Sequence, residues 1–127
     1  MHLEHTKANK SFVRRYYEAF HLAGDRTRNS EFFTADTMTR HEPGVRDGLA
    51  EFLHDVGVLM QHRTIDAIRL LVGQGDLVFI GAMGTHEGRA CAYLDLYRVE
   101  REKIVEHRGF PQIVPPQSER KNSNGLL

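Results

Sequence analysis

The spacing of apolar residues changes period once along this chain, and that single change restricts what it can fold into. From Asn9 to Ala23 the residues Phe12, Val13, Tyr16, Tyr17 and Phe20 recur at three- and four-residue steps, which predicts an amphipathic helix. Gly24 suits the left-handed position that ends it. Ser30 to Phe33 reads as a short helical turn capped by Ser30, and Thr34 to Pro43 as a loop. A second long helix is expected from Asp47 or Gly48 to about Gln61, with Leu49, Phe52, Leu53, Val56, Leu59 and Met60 on one face. After Arg63 the pattern becomes short apolar runs divided by turn residues: Thr64 to Val72, Leu77 to Thr85, Arg89 to Val99 and Lys103 to Val114. These read as strands.

The breaks between those strands are too short for crossover helices, so neighbours should pair antiparallel as a meander. Helices followed by strands give an α+β fold. Leu77-Val78-Phe79-Ile80 is apolar on both faces, which places its strand inside the sheet, with helices on one side and a partner subunit expected on the other. Residues 1–114 are expected to form one domain. The polar tail 115–127 is expected to be disordered or docked on a partner subunit.

Composition narrows the function classes. Seventeen Lys and Arg balance seventeen Asp and Glu, so no overall field draws in nucleic acid or an anionic membrane. No run approaches the roughly 18 apolar residues of a membrane span. A single cysteine, Cys91, fits a reducing compartment, and a cytoplasmic protein is expected. Cys91 on a strand reads as a buried filler rather than a nucleophile. The eight histidines show no HExxH or comparable spacing, so no metal site is expected. No serine stands in a nucleophile-elbow context, and the Gly73/Gly75 pair marks a hairpin turn rather than a phosphate loop.

A helix layer over a curved sheet tends to leave a concavity, and the last hairpin decides which polar groups enter it. With a three-residue loop at Glu100-Arg101-Glu102, Asp95 stands opposite His107, Tyr97 opposite Val105 and Tyr93 opposite Gly109. With a two-residue loop Asp95 pairs with Arg108, and His107 turns to the other face beside Leu96. The first register is favoured because it leaves Asp95 and His107 among aromatic neighbours, where each needs the other. A carboxylate on one ring nitrogen fixes the tautomer and raises the basicity of the other, which suits His107 to proton transfer. A satisfied structural pair is the alternative. His41, in the loop before Pro43, is a further candidate. Tyr93, Tyr16, Phe20, Phe33 and Arg108 are expected to contact a ligand.

Phe12-Val-Arg-Arg-Tyr-Tyr-Glu-Ala-Phe20, His41-Glu-Pro43 with Asp47-Gly48, Gly75-Asp-Leu-Val78, Asp95-Leu-Tyr-Arg-Val-Glu100, and Lys103-Ile-Val-Glu-His107 with Gln112 and Pro115 follow in order. Together they resemble the SnoaL-like, polyketide cyclase-like branch of the nuclear transport factor 2-like superfamily. The resemblance spans nearly the whole chain. It implies a cone-shaped α+β fold with a deep pocket, a homodimer, and no organic cofactor or metal. It places His41, Asp95 and His107 at the pocket. Members include polyketide cyclases, steroid isomerases, epoxide hydrolases, dehydratases and non-catalytic binding modules, so fold alone does not decide function. Two departures stand out. Relatives commonly carry Asp where this chain has Gly109, and that Asp matches the acid/base group of the cyclases; its absence should leave room beside His107. Glu102 also replaces the usual turn glycine, which strains a three-residue loop. The expected activity is acid/base isomerisation, cyclisation or hydration of a small hydrophobic carbonyl-type substrate. The alternative is a hydrophobic-ligand-binding module.

Overall fold

A computed structural model describes residues 2–34 and 38–127. Helix α1, His2–Tyr17, runs into a π-helical turn, Glu18–Leu22, followed by α2, Asn29–Phe32, the two-residue strand β1, Thr39–Arg40, and α3, Leu49–Leu59. Four long strands follow: β2, Arg63–Gln74; β3, Leu77–His86; β4, Arg89–Glu100; and β5, Lys103–Ile113. Residues 35–37 of the expected Thr34–Pro43 loop lie outside the described residues.

The sheet order is β1-β5-β4-β3-β2. Its four long strands form the expected antiparallel meander, and β1 joins β5 in parallel, pairing Arg40 with His107. β3 is an interior strand, as its two-sided apolar run requires, although β4 holds the middle. The α+β expectation holds, with an open mixed sheet in place of a pure meander.

The aromatic stripe of the first helix explains how the layers join. Phe12, Val13, Tyr16, Tyr17 and Phe20 are all buried, and they meet Phe32, Phe33, Tyr97, Val78, Ile80 and Ile104 in one core. Tyr16 packs edge-on against Phe33 and Tyr97 at 5.2 and 5.6 Å between ring centres. Burying one such ring stabilises the fold by about 1.5–3 kcal/mol relative to leaving it in water. At the far end of α1, the buried Asn9 donates to the Gly75 carbonyl at 2.9 Å, and the Gly75 amide donates to Thr6 at 3.0 Å, which fixes the β2–β3 turn on the helix.

Two glycines mark the helical segments. Gly24, at φ +70°, ends the first helical segment in the left-handed conformation expected of it. Gly57 lies inside α3 beside the Arg26 guanidinium, which donates to the Leu53 carbonyl at 2.8 Å.

The last hairpin follows neither expected register. Its turn has two residues, Arg101 and Glu102, both at positive φ, and Glu100 pairs with Lys103. The ladder then shifts between Arg98 and Val99, which leaves Val105 as an extra residue on β5. Beyond this bulge Asp95 stands opposite Gly109, Tyr97 opposite His107, Tyr93 opposite Pro111 and Leu96 opposite Arg108. Because the bulge restores the alternation that the short turn would reverse, Asp95 and His107 share a face after all, as diagonal neighbours.

The tail begins at Pro115. It forms a short 3-10 turn at Gln117–Glu119, and Leu127 returns to lie beside Gly81 and Leu70 on the outer side of the sheet.

Candidate functional site

α3 and the π-helical turn leave a cavity of about 360 Å³ over the inner face of the sheet. Phe52, Val56 and Leu59 of α3 form one wall; Cys91, Tyr93, Asp95 and Tyr97 of β4 with His107, Gly109, Pro111 and Ile113 of β5 form the other. Arg40, Glu42, His21 and Arg63 bring polar groups to its rim. A mostly apolar enclosure with a few convergent polar groups is the usual form of a small-molecule site.

The centre of that polar set is the His107–Asp95 pair. His107 Nε2 and Asp95 Oδ1 are 2.7 Å apart, and both side chains are largely buried. Tyr17 adds a longer hydrogen bond from its hydroxyl to Asp95 Oδ2 at 3.3 Å. Burial pushes the Asp95 carboxyl up, but the hydrogen bond from His107 and the electrostatics of the two neighbouring imidazoles and Arg63 outweigh it and hold the group below its ordinary value. An ionised Asp95 accepts, so His107 Nε2 carries the proton between them. Nδ1 is buried and has no hydrogen-bond partner. The ring is held in place by Tyr97 at 5.0 Å and by Phe52, edge-on, at 5.4 Å.

Glu42, which enters the sequence reading only as part of a turn motif, reaches this pair from the segment after β1. Its Oε1 accepts from the Gly109 amide at 3.1 Å and lies 4.0 Å from His107 Nδ1, while its Oε2 is buried without a partner. The absent side chain at position 109 therefore does not leave open room. A Cβ there would stand 3.0 Å from His107 Cε1, 3.1 Å from Asp95 Oδ1 and 3.3 Å from Glu42 Oε1. Glycine is what lets three functional groups converge on that point.

A second imidazole, His21, also lines the cavity. Arg63 Nη2 donates to its Nδ1 at 2.9 Å, and its Nε2 lies 3.1 Å from the Tyr16 hydroxyl. Burial, then the Arg63 charge, lowers its pKa to about 3, so this ring stays neutral. The π-helical turn makes the contact possible, because its wider winding brings a residue five positions on back over Tyr16. Burial, followed by the charge of Asp95, raises the pKa of Tyr16, Tyr17 and Tyr97, so all three keep their hydroxyl protons.

The remaining candidates fall elsewhere. His41 lies on the other side of β1 and β5, where its Nε2 pairs with Glu106, because Arg40 takes the inward position beside it. Arg108 follows the same alternation outward and stands 3.5 Å from Glu106. Tyr16, Phe20 and Phe33 are core residues beneath the cavity rather than part of its surface, since the α1 stripe that carries them is fully used in packing. Tyr93 does line the cavity, but its hydroxyl donates to the Thr85 carbonyl at 2.7 Å. Cys91 is buried at the same wall. His21 had one signal in the sequence, its place next to Phe20 on the aromatic helix; Arg63 and Glu42 had none beyond their charge. Among the described residues no three His, Cys, Asp or Glu side chains gather as a metal site, and no helix is long and apolar enough to cross a membrane.

Neither a protein-family model nor a curated protein sequence matches the chain. Solved structures do match it. A proposed ketosteroid isomerase from Kribbella flavida superposes with a TM-score of 0.70 at 13% identity, covering 96% of this chain and 93% of that one. Bal32a, from a soil-derived mobile gene cassette, gives 0.70 at 19% identity over 84% and 91% of the two chains. A proposed SnoaL-like polyketide cyclase from Jannaschia gives 0.68 at 15% identity over 84% and 87%. The chain has the nuclear transport factor 2-like fold, and at such identities the likeness speaks for the fold alone.

Proposed function

We propose that this SnoaL-like chain is a cofactor-independent enzyme that moves a proton on a small, mostly apolar carbonyl-type substrate, with His107 as base and Asp95 as the residue that positions it. The observation that carries the reading is the division of labour on one ring: Nε2 donates to an ionised carboxylate, and the buried Nδ1 beside an apolar cavity has no partner. A buried polar atom normally finds a partner, and a reacting C–H or O–H would supply one. Isomerisation, cyclisation and hydration share this proton-transfer step. Homodimerisation is part of the proposal, supported by Val72, Leu77 and Phe110, which are exposed apolar side chains of the strands. A cytoplasmic location is proposed on the strength of the lone, unpaired cysteine.

Deuterium exchange at the acidic carbon of an aryl ketone such as 2-tetralone, followed by proton NMR, tests the reading. His107→Gln, with folding verified by circular dichroism, is expected to lower the enzyme-catalysed rate by about 100-fold or more. Exchange at the unmodified rate in that variant would remove His107 from the chemistry. A second reading, a hydrophobic-ligand-binding module, draws on the engagement of His41 with Glu106 and of Tyr93 with Thr85, which takes away the two groups expected to polarise the substrate oxygen. Saturable ketone binding with no exchange by the natural chain would favour that module.

A further inference from the structure

Two arginines line the cavity, and among the described residues only one of them has an acidic partner. Arg40 donates to Asp55 at 2.6 Å. Arg63, the first residue of β2, donates from Nη2 to the neutral His21 ring at 2.9 Å, and no described carboxylate lies within 4.0 Å of it. Its Nε is buried without a partner, while its Nη1 makes no hydrogen bond among the described residues and keeps accessible surface. The other acids of the wall are engaged elsewhere, Asp95 by His107 and Tyr17, and Glu42 by the Gly109 amide. A cation set in a mostly apolar enclosure without a counter-ion is costly, and buried arginines are ordinarily paired.

The group is also fixed in place. The Arg63 guanidinium carbon stands 4.9 Å from the centre of the Tyr93 ring, and the Tyr93 hydroxyl is tied to the Thr85 carbonyl at 2.7 Å. A guanidinium laid on an aromatic face keeps its edge N–H groups available to a planar anion. His86 stands opposite Arg63 in the β2–β3 ladder, on the same face, and lines the cavity as well. An imidazole offers a ring N–H in either tautomer. One end of the cavity thus carries a held cation and a second donor, next to the apolar wall of Phe52, Val56 and Leu59.

We propose that Arg63 is the specificity-determining residue of the cavity, the anchor for the carboxylate of a small apolar acid, with His86 as the second donor. The proposal rests on the reading of the cavity as a small-molecule site and not on His107 as base. Arg63 supplies the charge and the Nη1 donor, and the carboxylate supplies the counter-ion that the wall lacks. A single guanidinium matches the one charge of a carboxylate rather than the two of a phosphate. Tyr93 precedes Asp95 by two residues of β4, about 6.6 Å of strand, so the anchored acid lies a short way along the sheet from the His107–Asp95 pair. Where the proton-transfer reading holds, the substrate is a carbonyl compound that also bears an acid group. The compound 2-tetralone has none and reads the proton transfer alone.

The test uses the full chain at neutral pH and two probes of one shape, 2-naphthoate and the uncharged 2-naphthamide, with affinities from isothermal titration calorimetry. The natural chain should bind the acid about 10-fold or more tightly than the amide. Arg63→Gln should bring the two affinities together, and Arg63→Lys, which keeps the charge, should separate them again. A readout on the natural chain is independent of how the variants fold: the nitrogen-15 resonances of the Arg63 guanidinium should move with 2-naphthoate and far less with 2-naphthamide. Equal affinities for the two probes in the natural chain, a preference that persists in folded Arg63→Gln, or an unmoved Arg63 resonance would each overturn the proposal. Tighter binding of 2-naphthyl phosphate than of 2-naphthoate would overturn the choice of a carboxylate. Failure of the cavity reading is separable, since it would show as no binding of either naphthyl probe, whereas amide binding with no preference for the acid removes the Arg63 anchor alone.

Discussion

Two histidines line the same cavity and differ in their neighbours. His21 accepts from a cation, Arg63, on one nitrogen and meets the Tyr16 hydroxyl on the other, so both ring atoms are satisfied and the ring is locked neutral. His107 donates from Nε2 to an anion, Asp95, and its Nδ1 has no hydrogen-bond partner. One imidazole is fully partnered and the other is not. The sign of the nearest charge and the count of filled hydrogen-bond positions add to burial in setting the two rings apart.

Removing the anion should break the contrast most. Asp95→Asn keeps the shape but no longer stabilises a protonated His107, and ketone exchange should fall by about 100-fold. The same variant has a pH signature. The Asp95 pKa is lowered from 3.8 in the fold, so its ionisation contributes stability above about pH 4 that is lost as the pH falls through the folded value. Urea midpoints of the natural chain and Asp95→Asn should therefore draw together below about pH 4.

Taking the cation from the other ring is expected to act on stability before activity. Arg63→Met leaves His21 Nδ1 without its donor, a loss of about 1–3 kcal/mol read from urea unfolding. In the natural chain His21 titrates near 3 when folded against 6.5 when unfolded, so the unfolded chain binds more protons between those values and stability drops as the pH falls through that window. Without the Arg63 charge the folded pKa should rise, which narrows the window from its acid end; proton NMR of the His21 ring measures the shift. The smallest effect belongs to His41→Gln. That ring is part of an exposed pair with Glu106, so stability should stay within about 0.5 kcal/mol and exchange should be unchanged.

Periodicity and turn chemistry were enough to read most of the fold. The Phe12–Phe20 stripe and the apolar runs after Arg63 each became the element their period requires. What escaped lacks a periodic signal. Thr39–Arg40 is too short to show an alternation, and its parallel pairing depends on where the chain returns. Of the site, the Asp95–His107 contact was expected from a three-residue loop that the hairpin does not have; the two share a face through the bulge at Val105, which carries no sequence signal. Glu42, His21 and Arg63 were not legible, since each arrives from a different element and their meeting is a property of the packed molecule. His41 was misplaced for a simple reason: adjacent residues of a strand point opposite ways, and Arg40 is the one that faces inward.

The bulge at Val105 has a consequence that reaches past its own hairpin. A turn of two residues on its own would set Asp95 and His107 on opposite sides of the sheet, and one surplus residue reverses that outcome. Deleting Val105 would expel the imidazole from its enclosure without altering a single group that does chemistry, and it would carry Glu106 and Arg108 inward in its place. The polarity of an entire sheet surface thus hangs on the parity of a residue count.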